Sequence, residues 1–140
     1  AHTAYRESEV AVNHMLGKKD IMRYTAIPSV IYTNPEVASV GETPESAAQK
    51  GIEAKTVSVS MRLSGRYLAE TDDGNGIAKL VADTKNDRLI GVHLIGSYTS
   101  EIIYGAALML ETNLKIDALK ELVFPHPTVC EVIREALFEI

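Results

Sequence analysis

His126 and Glu131 are the two side chains of this sequence best spaced to move a proton together. They stand in Phe124-Pro125-His126-Pro127-Thr128-Val129-Cys130-Glu131. Pro127 sets its own φ and disfavours the α region for His126, so backbone geometry holds the imidazole. Thr128 reads as a helix N-cap, because Val129, Val132, Ile133, Ala136, Leu137 and Ile140 follow with a helical period. Glu131 then falls in the first turn, close enough to orient the imidazole. A plainer reading stands beside this one. Thr128-Val129-Cys130-Glu131 also fits a capping box, with Glu131 turned back onto the cap backbone N–H. The two readings compete for one carboxylate, although a carboxylate has two oxygens.

The remaining reactive side chains are less well supported. Cys130 lies beside a helix start and close to His126, a setting that can make a thiol nucleophilic, yet a lone cysteine most often packs. His93, between Val92 and Leu94, reads as structural, because no second ligand of metal-site spacing accompanies it. His14 reads as a helix-surface residue. Asp72-Asp73-Gly74-Asn75-Gly76 puts glycines where a calcium loop needs ligands, so it reads as a turn. No metal site is expected.

His-Pro-Thr-x-x-Glu at 126–131 resembles the active-site segment of the flavoprotein disulfide reductases, the family of lipoamide dehydrogenase, glutathione reductase and mercuric reductase. Ile27-Pro28-Ser29-Val30-Ile31-Tyr32-Thr33-Asn34-Pro35-Glu36-Val37-Ala38-Ser39-Val40-Gly41 is similar to the opening of that family's C-terminal interface domain. Asn34-Pro35-Glu36-Val37-Ala38 and Ile133-Arg134-Glu135-Ala136 follow its lipoamide dehydrogenase branch. Two departures alter the lining of the site. Phe124 stands where many members carry a second histidine, and Cys130 where serine is common.

That resemblance carries functional expectations. It implies that His126 takes a proton from a thiol of dihydrolipoamide while Glu131 orients the ring, and that the His126–Pro127 bond is cis. It implies flavin contacts at Ala1 and His2, since Ala1-His2-Thr3-Ala4 resembles the end of a Leu-Ala-His-x-Ala segment. Further contacts are implied at His126 and Pro127, against the flavin of the partner subunit. FAD and NAD would be held by other domains, and the partners would be a second copy of the chain and the acyltransferase of a 2-oxo acid dehydrogenase complex. Residues 1–19 would be the end of the preceding FAD domain and residues 20–140 the interface domain. The sequence holds one cysteine, so no redox disulfide forms within it. Gly74-Asn75-Gly76 does not continue into a dinucleotide fingerprint. An isolated fragment should therefore be inactive. The alternatives are a stand-alone, non-catalytic homodimerising module or the same domain of a glutathione or mercuric reductase.

The elements that must position these residues follow from patterning. A helix spans 1–16, with Ala4, Tyr5, Ala11, Val12, Met15 and Leu16 on one face and Gly17 as its stop. Residues 20–28 read as a linker. Ser29–Thr33 reads as a strand. Thr43 caps a short helix that begins at Pro44 and ends at Gly51. Thr56–Leu63 alternates, with Val57, Val59, Met61 and Leu63 on one face, as a half-buried strand does. Ile77–Ala82 and Leu89–Ile95 flank a hairpin loop. Ser100–Thr112 is apolar on more than one face and should be heavily buried. Asp117 should cap a short helix reaching Val123. Strands in the middle and helices at both ends predict an α+β fold, with helices packed on one face of an antiparallel sheet. A net charge of −5 gives no electrostatic case for nucleic acid or an anionic membrane. No apolar run has the roughly 18 residues of a membrane span, and no leader pattern is visible. With a single cysteine, these features predict a cytoplasmic protein.

Overall fold

Alternating apolar residues decide which side of each strand turns inward, and here they select one side of one sheet. The computed structural model describes residues 1–72 and 74–140; Asp73, within the turn expected over 72–76, lies outside them. Its helices are α1 (His2–Met15), α2 (Pro44–Gln49), α3 (Gly65–Glu70), α4 (Thr99–Thr112), α5 (Ile116–Lys120) and α6 (Glu131–Phe138). Its strands are β1 (Ser29–Ile31), β2 (Val37–Gly41), β3 (Ala54–Ser60), β4 (Ile77–Asp83) and β5 (Arg88–Ile95). Among the described residues the strands form one antiparallel sheet in the order β1-β2-β5-β4-β3.

Register aligns the inward residues across the sheet. Ala38 and Val40 of β2 pair with Leu94 and Val92 of β5, which pair in turn with Ala78 and Leu80 of β4. These side chains, with Ile103 and Ala106 of α4 and Val132, Ile133, Ala136 and Leu137 of α6, make a single buried cluster. α4 lies over β2 and β5, and α6 over β4 and β3. The fold is therefore α+β, with helices on one face of the sheet.

Close backbone approach explains two glycines. Gly41 has φ +78°, and a Cβ there would sit 2.1 Å from the Ile90 carbonyl oxygen; at its partner Gly91 a Cβ would sit 1.9 Å from Glu42 O. A side chain at either would push β2 and β5 apart.

Several expectations change. The alternating segment leaves the sheet at Ser60, whose hydroxyl accepts from Arg62 N and starts a 3₁₀ turn at Met61–Leu63. Met61 is buried as its phase predicts, but Leu63 is exposed. β2 and α3 are elements that periodicity alone does not single out. α5 is capped by Lys115, not Asp117, and ends at Lys120. α4 is buried on one side only: Tyr104 and Leu108 stay exposed, because the sheet covers a single face of it.

Candidate functional site

The His126 turn joins the end of α5 to α6, and its conformation is set by where the Thr128 polar groups go. Thr128 is not the N-cap. Its hydroxyl donates to the Pro125 carbonyl at 2.6 Å and its amide donates to Glu131 Oε2 at 2.9 Å. With those groups turned back, the chain tightens through Val132 N to Val129 O and Ile133 N to Cys130 O. Regular helix starts only at Glu131, with Cys130 at the cap position and no side-chain cap bond. Phe124 packs against the core and fixes the near end of the turn, and the buried face of α6 fixes the far end. The His126–Pro127 and Asn34–Pro35 bonds are both cis.

Glu131 reaches both of its expected partners at once, although Thr128 is not a helix cap. Oε1 lies 2.9 Å from His126 Nδ1 while Oε2 accepts the Thr128 amide. The Thr128 N–H first, and then His126, hold the Glu131 carboxyl below the usual carboxylate range, with Arg134 nearby adding to the effect. An ionised carboxylate only accepts, so the proton between Glu131 and His126 belongs to Nδ1. In the neutral ring Nε2 is then the nitrogen without a proton. It is aimed outward, for the His126 side chain is 81% exposed whereas that of Glu131 is 21% exposed. The arrangement is an imidazole oriented by a carboxylate with its other nitrogen open to solvent, a geometry in which proton exchange is chemically feasible.

Cys130 is in polar contact with Thr128, with its Sγ 3.0 Å from Thr128 Oγ1. The single Thr128 hydroxyl proton is already given to the Pro125 carbonyl, so the thiol is the donor in that contact. The other histidines are occupied by backbone carbonyls. His93 Nε2 meets Glu42 O at 2.9 Å, His14 Nε2 meets Asp20 O at 2.7 Å, and His2 Nε2 meets Pro28 O at 2.8 Å.

The structure does not bring all the expected cofactor-contacting residues together. His2 lines a groove of ≈ 350 Å³ between α1, residues 21–28 and α4, and neither His126 nor Pro127 lines it. Ala1 precedes α1 at the same end of the chain. One participant escaped sequence reasoning. Ser64 is buried at 1% exposure, accepts from Tyr67 N as the cap of α3, and donates to Thr128 O at 2.9 Å. A cap at Ser64 has a local signal in the helix that follows; a partner 64 residues further on has none.

Comparison with known proteins follows the same lines. Residues 27–137 match the profile of the pyridine nucleotide-disulphide oxidoreductase dimerisation domain. The chain is 33% identical over 136 residues to the mitochondrial dihydrolipoyl dehydrogenase of Pisum sativum, across 97% of this chain and 27% of that protein. Against the mitochondrial dihydrolipoyl dehydrogenase of Sus scrofa it is 37% identical over 136 residues, across 97% and 26%. Against the leghemoglobin reductase of Glycine max it is 32% identical, with the same coverage of 97% and 26%. The chain thus spans 26–27% of the length of these relatives. Its fold matches that of the flavoprotein disulfide reductase RclA of Escherichia coli, with a TM-score of 0.83 at 22% identity, over 93% of this chain and 30% of that one.

Proposed function

The chain belongs to the pyridine nucleotide-disulphide oxidoreductase family and carries its dimerisation domain, and from that premise we propose that it is the interface domain of a dihydrolipoamide dehydrogenase. In this reading His126 Nε2 takes the proton from one thiol of dihydrolipoamide. The thiolate, which is the nucleophile of disulfide exchange, then attacks a redox disulfide carried by the second subunit. Glu131 keeps the proton on Nδ1, holds the ring plane and stabilises the imidazolium that forms, as the buried carboxylate of a serine-protease triad does. The observation that carries the reading is the geometry of Glu131, with one oxygen on His126 Nδ1 and the other on the Thr128 amide while Nε2 stays open.

Exposure of the base argues for a partner. An imidazole in open water gains little from its carboxylate, and closing a surface over it strengthens that interaction. A second copy of the chain is the surface proposed, and the exposed Tyr104, Leu108 and Val123 are apolar area for it to cover. Residues 1–19 are read as the end of the upstream FAD domain, consistent with an α1 that buries no residue, and 20–140 as the interface domain. Ala1 and His2 would then touch the flavin of their own subunit, and His126 and Pro127 that of the partner, in keeping with the two sets lying apart. When bound, the flavin would accept the electron pair from the dithiol left once dihydrolipoamide has reduced that disulfide, and pass it to NAD. Alone, the 140 residues hold no redox disulfide and should not turn over. The acyltransferase of a 2-oxo acid dehydrogenase complex is the proposed carrier of the substrate.

The test is stopped-flow reduction of the flavin by dihydrolipoamide in the full-length enzyme bearing His126→Gln or Glu131→Gln. Loss of the acid–base residue should slow this half-reaction by about 10²–10⁴-fold, with the Glu131 change costing less. Reoxidation by NAD should be unaffected. An unchanged thiol half-reaction in His126→Gln rules the assignment out.

A further inference from the structure

Resting on that reading, the hydrogen-bond path from α3 to the imidazole carries one inference more. Thr128 is gripped on both sides. Its amide gives its proton to Glu131 Oε2, and its carbonyl receives the Ser64 hydroxyl proton at 2.9 Å. Ser64 cannot wander: it is 1% exposed, and its oxygen is the acceptor for Tyr67 N at 3.1 Å. Tyr67 is itself buried, with its phenol donating to Asn75 O at 2.7 Å. The cap bond uses a lone pair of Ser64, which leaves its only proton for Thr128. We infer that Ser64 is a positioning residue for the His126/Glu131 pair, acting through the Thr128 backbone and tying an exposed turn to the packed 3₁₀–α3 corner.

The physical reason is that apolar packing fixes the ends of the turn through Phe124 and α6, while its polar backbone has few ties to the interior. His126 is on the surface, and the Thr128 hydroxyl bond to Pro125 is internal to the same turn. The Ser64 bond is what couples the polar backbone of the turn to the interior. Release of the Thr128 carbonyl frees that residue to rotate, which loosens its amide from Glu131 and Glu131 from the ring. Residues that orient a working group through a second hydrogen bond have effects of this kind.

The experiment is Ser64→Ala in this chain, with the Glu131 carboxylate followed by ¹³C NMR through an acid titration and the fold followed by the amide spectrum. The Glu131 titration should move up toward the ordinary carboxylate range, with faster exchange of the Thr128 amide. Ser64→Thr, which keeps the hydroxyl, should restore both. A role confined to capping α3 would lower stability and leave the Glu131 titration where it is. That result, or a folded Thr variant that titrates like the alanine one, overturns the inference. If the alanine variant does not fold, Ser64→Cys fills the same space with a weak donor and is read by the same criterion. In the full-length enzyme Ser64→Ala should lower kcat about 10-fold, short of the roughly 10²-fold that a 1 Å misplacement can cost, with KM little changed. The two ideas fail separately. A dispensable His126 would leave turnover intact while the Glu131 titration of Ser64→Ala still moves, whereas a wrong inference leaves that titration fixed.

Discussion

The first and last helices of this protein look alike on paper and are held by opposite means. α1 and α6 are both amphipathic, yet α6 buries Val132, Ile133, Ala136 and Leu137 while α1 buries nothing. What attaches α1 is polar. Arg6 and Asn13 both reach Asp20, Tyr24 donates to Glu7, and His2 and His14 lean on the carbonyls of Pro28 and Asp20. Its apolar stripe of Tyr5, Val12, Met15 and Leu16 faces outward. The contrast teaches that an amphipathic pattern announces a covered face without saying what covers it. For α6 the cover is the sheet of the same chain. For α1 the described residues supply no such cover, and the proposed upstream domain would provide it.

Substitutions can sharpen that contrast. Leu137→Ala empties a fully buried position in the central cluster and should cost about 2–5 kcal/mol, read from urea unfolding of the chain. A loss below 1 kcal/mol would mean that α6 is not anchored as described. Acid should act more locally. The Arg6 guanidinium, followed by Asn13, holds the Asp20 carboxyl at about 2, below its ordinary 3.8. A depressed carboxyl stabilises the fold above its unfolded value and ceases to as pH falls through its folded one. Amide exchange in α1 should therefore rise between pH 4 and 2, whereas α6 amides at the core stay protected; simultaneous loss of both would erase the distinction. Smallest of all, Val12→Ala removes an exposed side chain and should change stability by no more than about 0.5 kcal/mol. In the full-length protein the same change should cost more, if an upstream domain covers that face.

Legibility in the sequence followed how far apart the interacting groups are. The Thr43 cap and the Pro44 start of α2 were visible because both partners of the Thr43–Ser46 capping box lie within four residues. The His126–Glu131 pairing was visible for the same reason. Its arbitration was not, since only coordinates reveal that one carboxylate oxygen goes to the ring and the other to the Thr128 amide. Alternation located β3 but ran on to Leu63, because the Ser60 and Ser64 hydroxyls redirect the backbone where periodicity still matches a strand. β2 lies within the 27–41 motif, but its five residues carry no strand signal of their own. It is short, and its pairing with β5 depends on glycines facing across the sheet.

By itself the sequence determined the class of fold, the order of most elements and the pairing of His126 with Glu131. Those depend on period, on caps and on spacing over a few residues, all of which are local properties of a chain. Tertiary structure decided the rest. It chose which helix faces are covered within the chain, left His126 open while sheltering Glu131, and brought Ser64 to the Thr128 carbonyl. Each of these depends on segments far apart in sequence meeting in space, through hydrogen bonds and burial that no local pattern encodes.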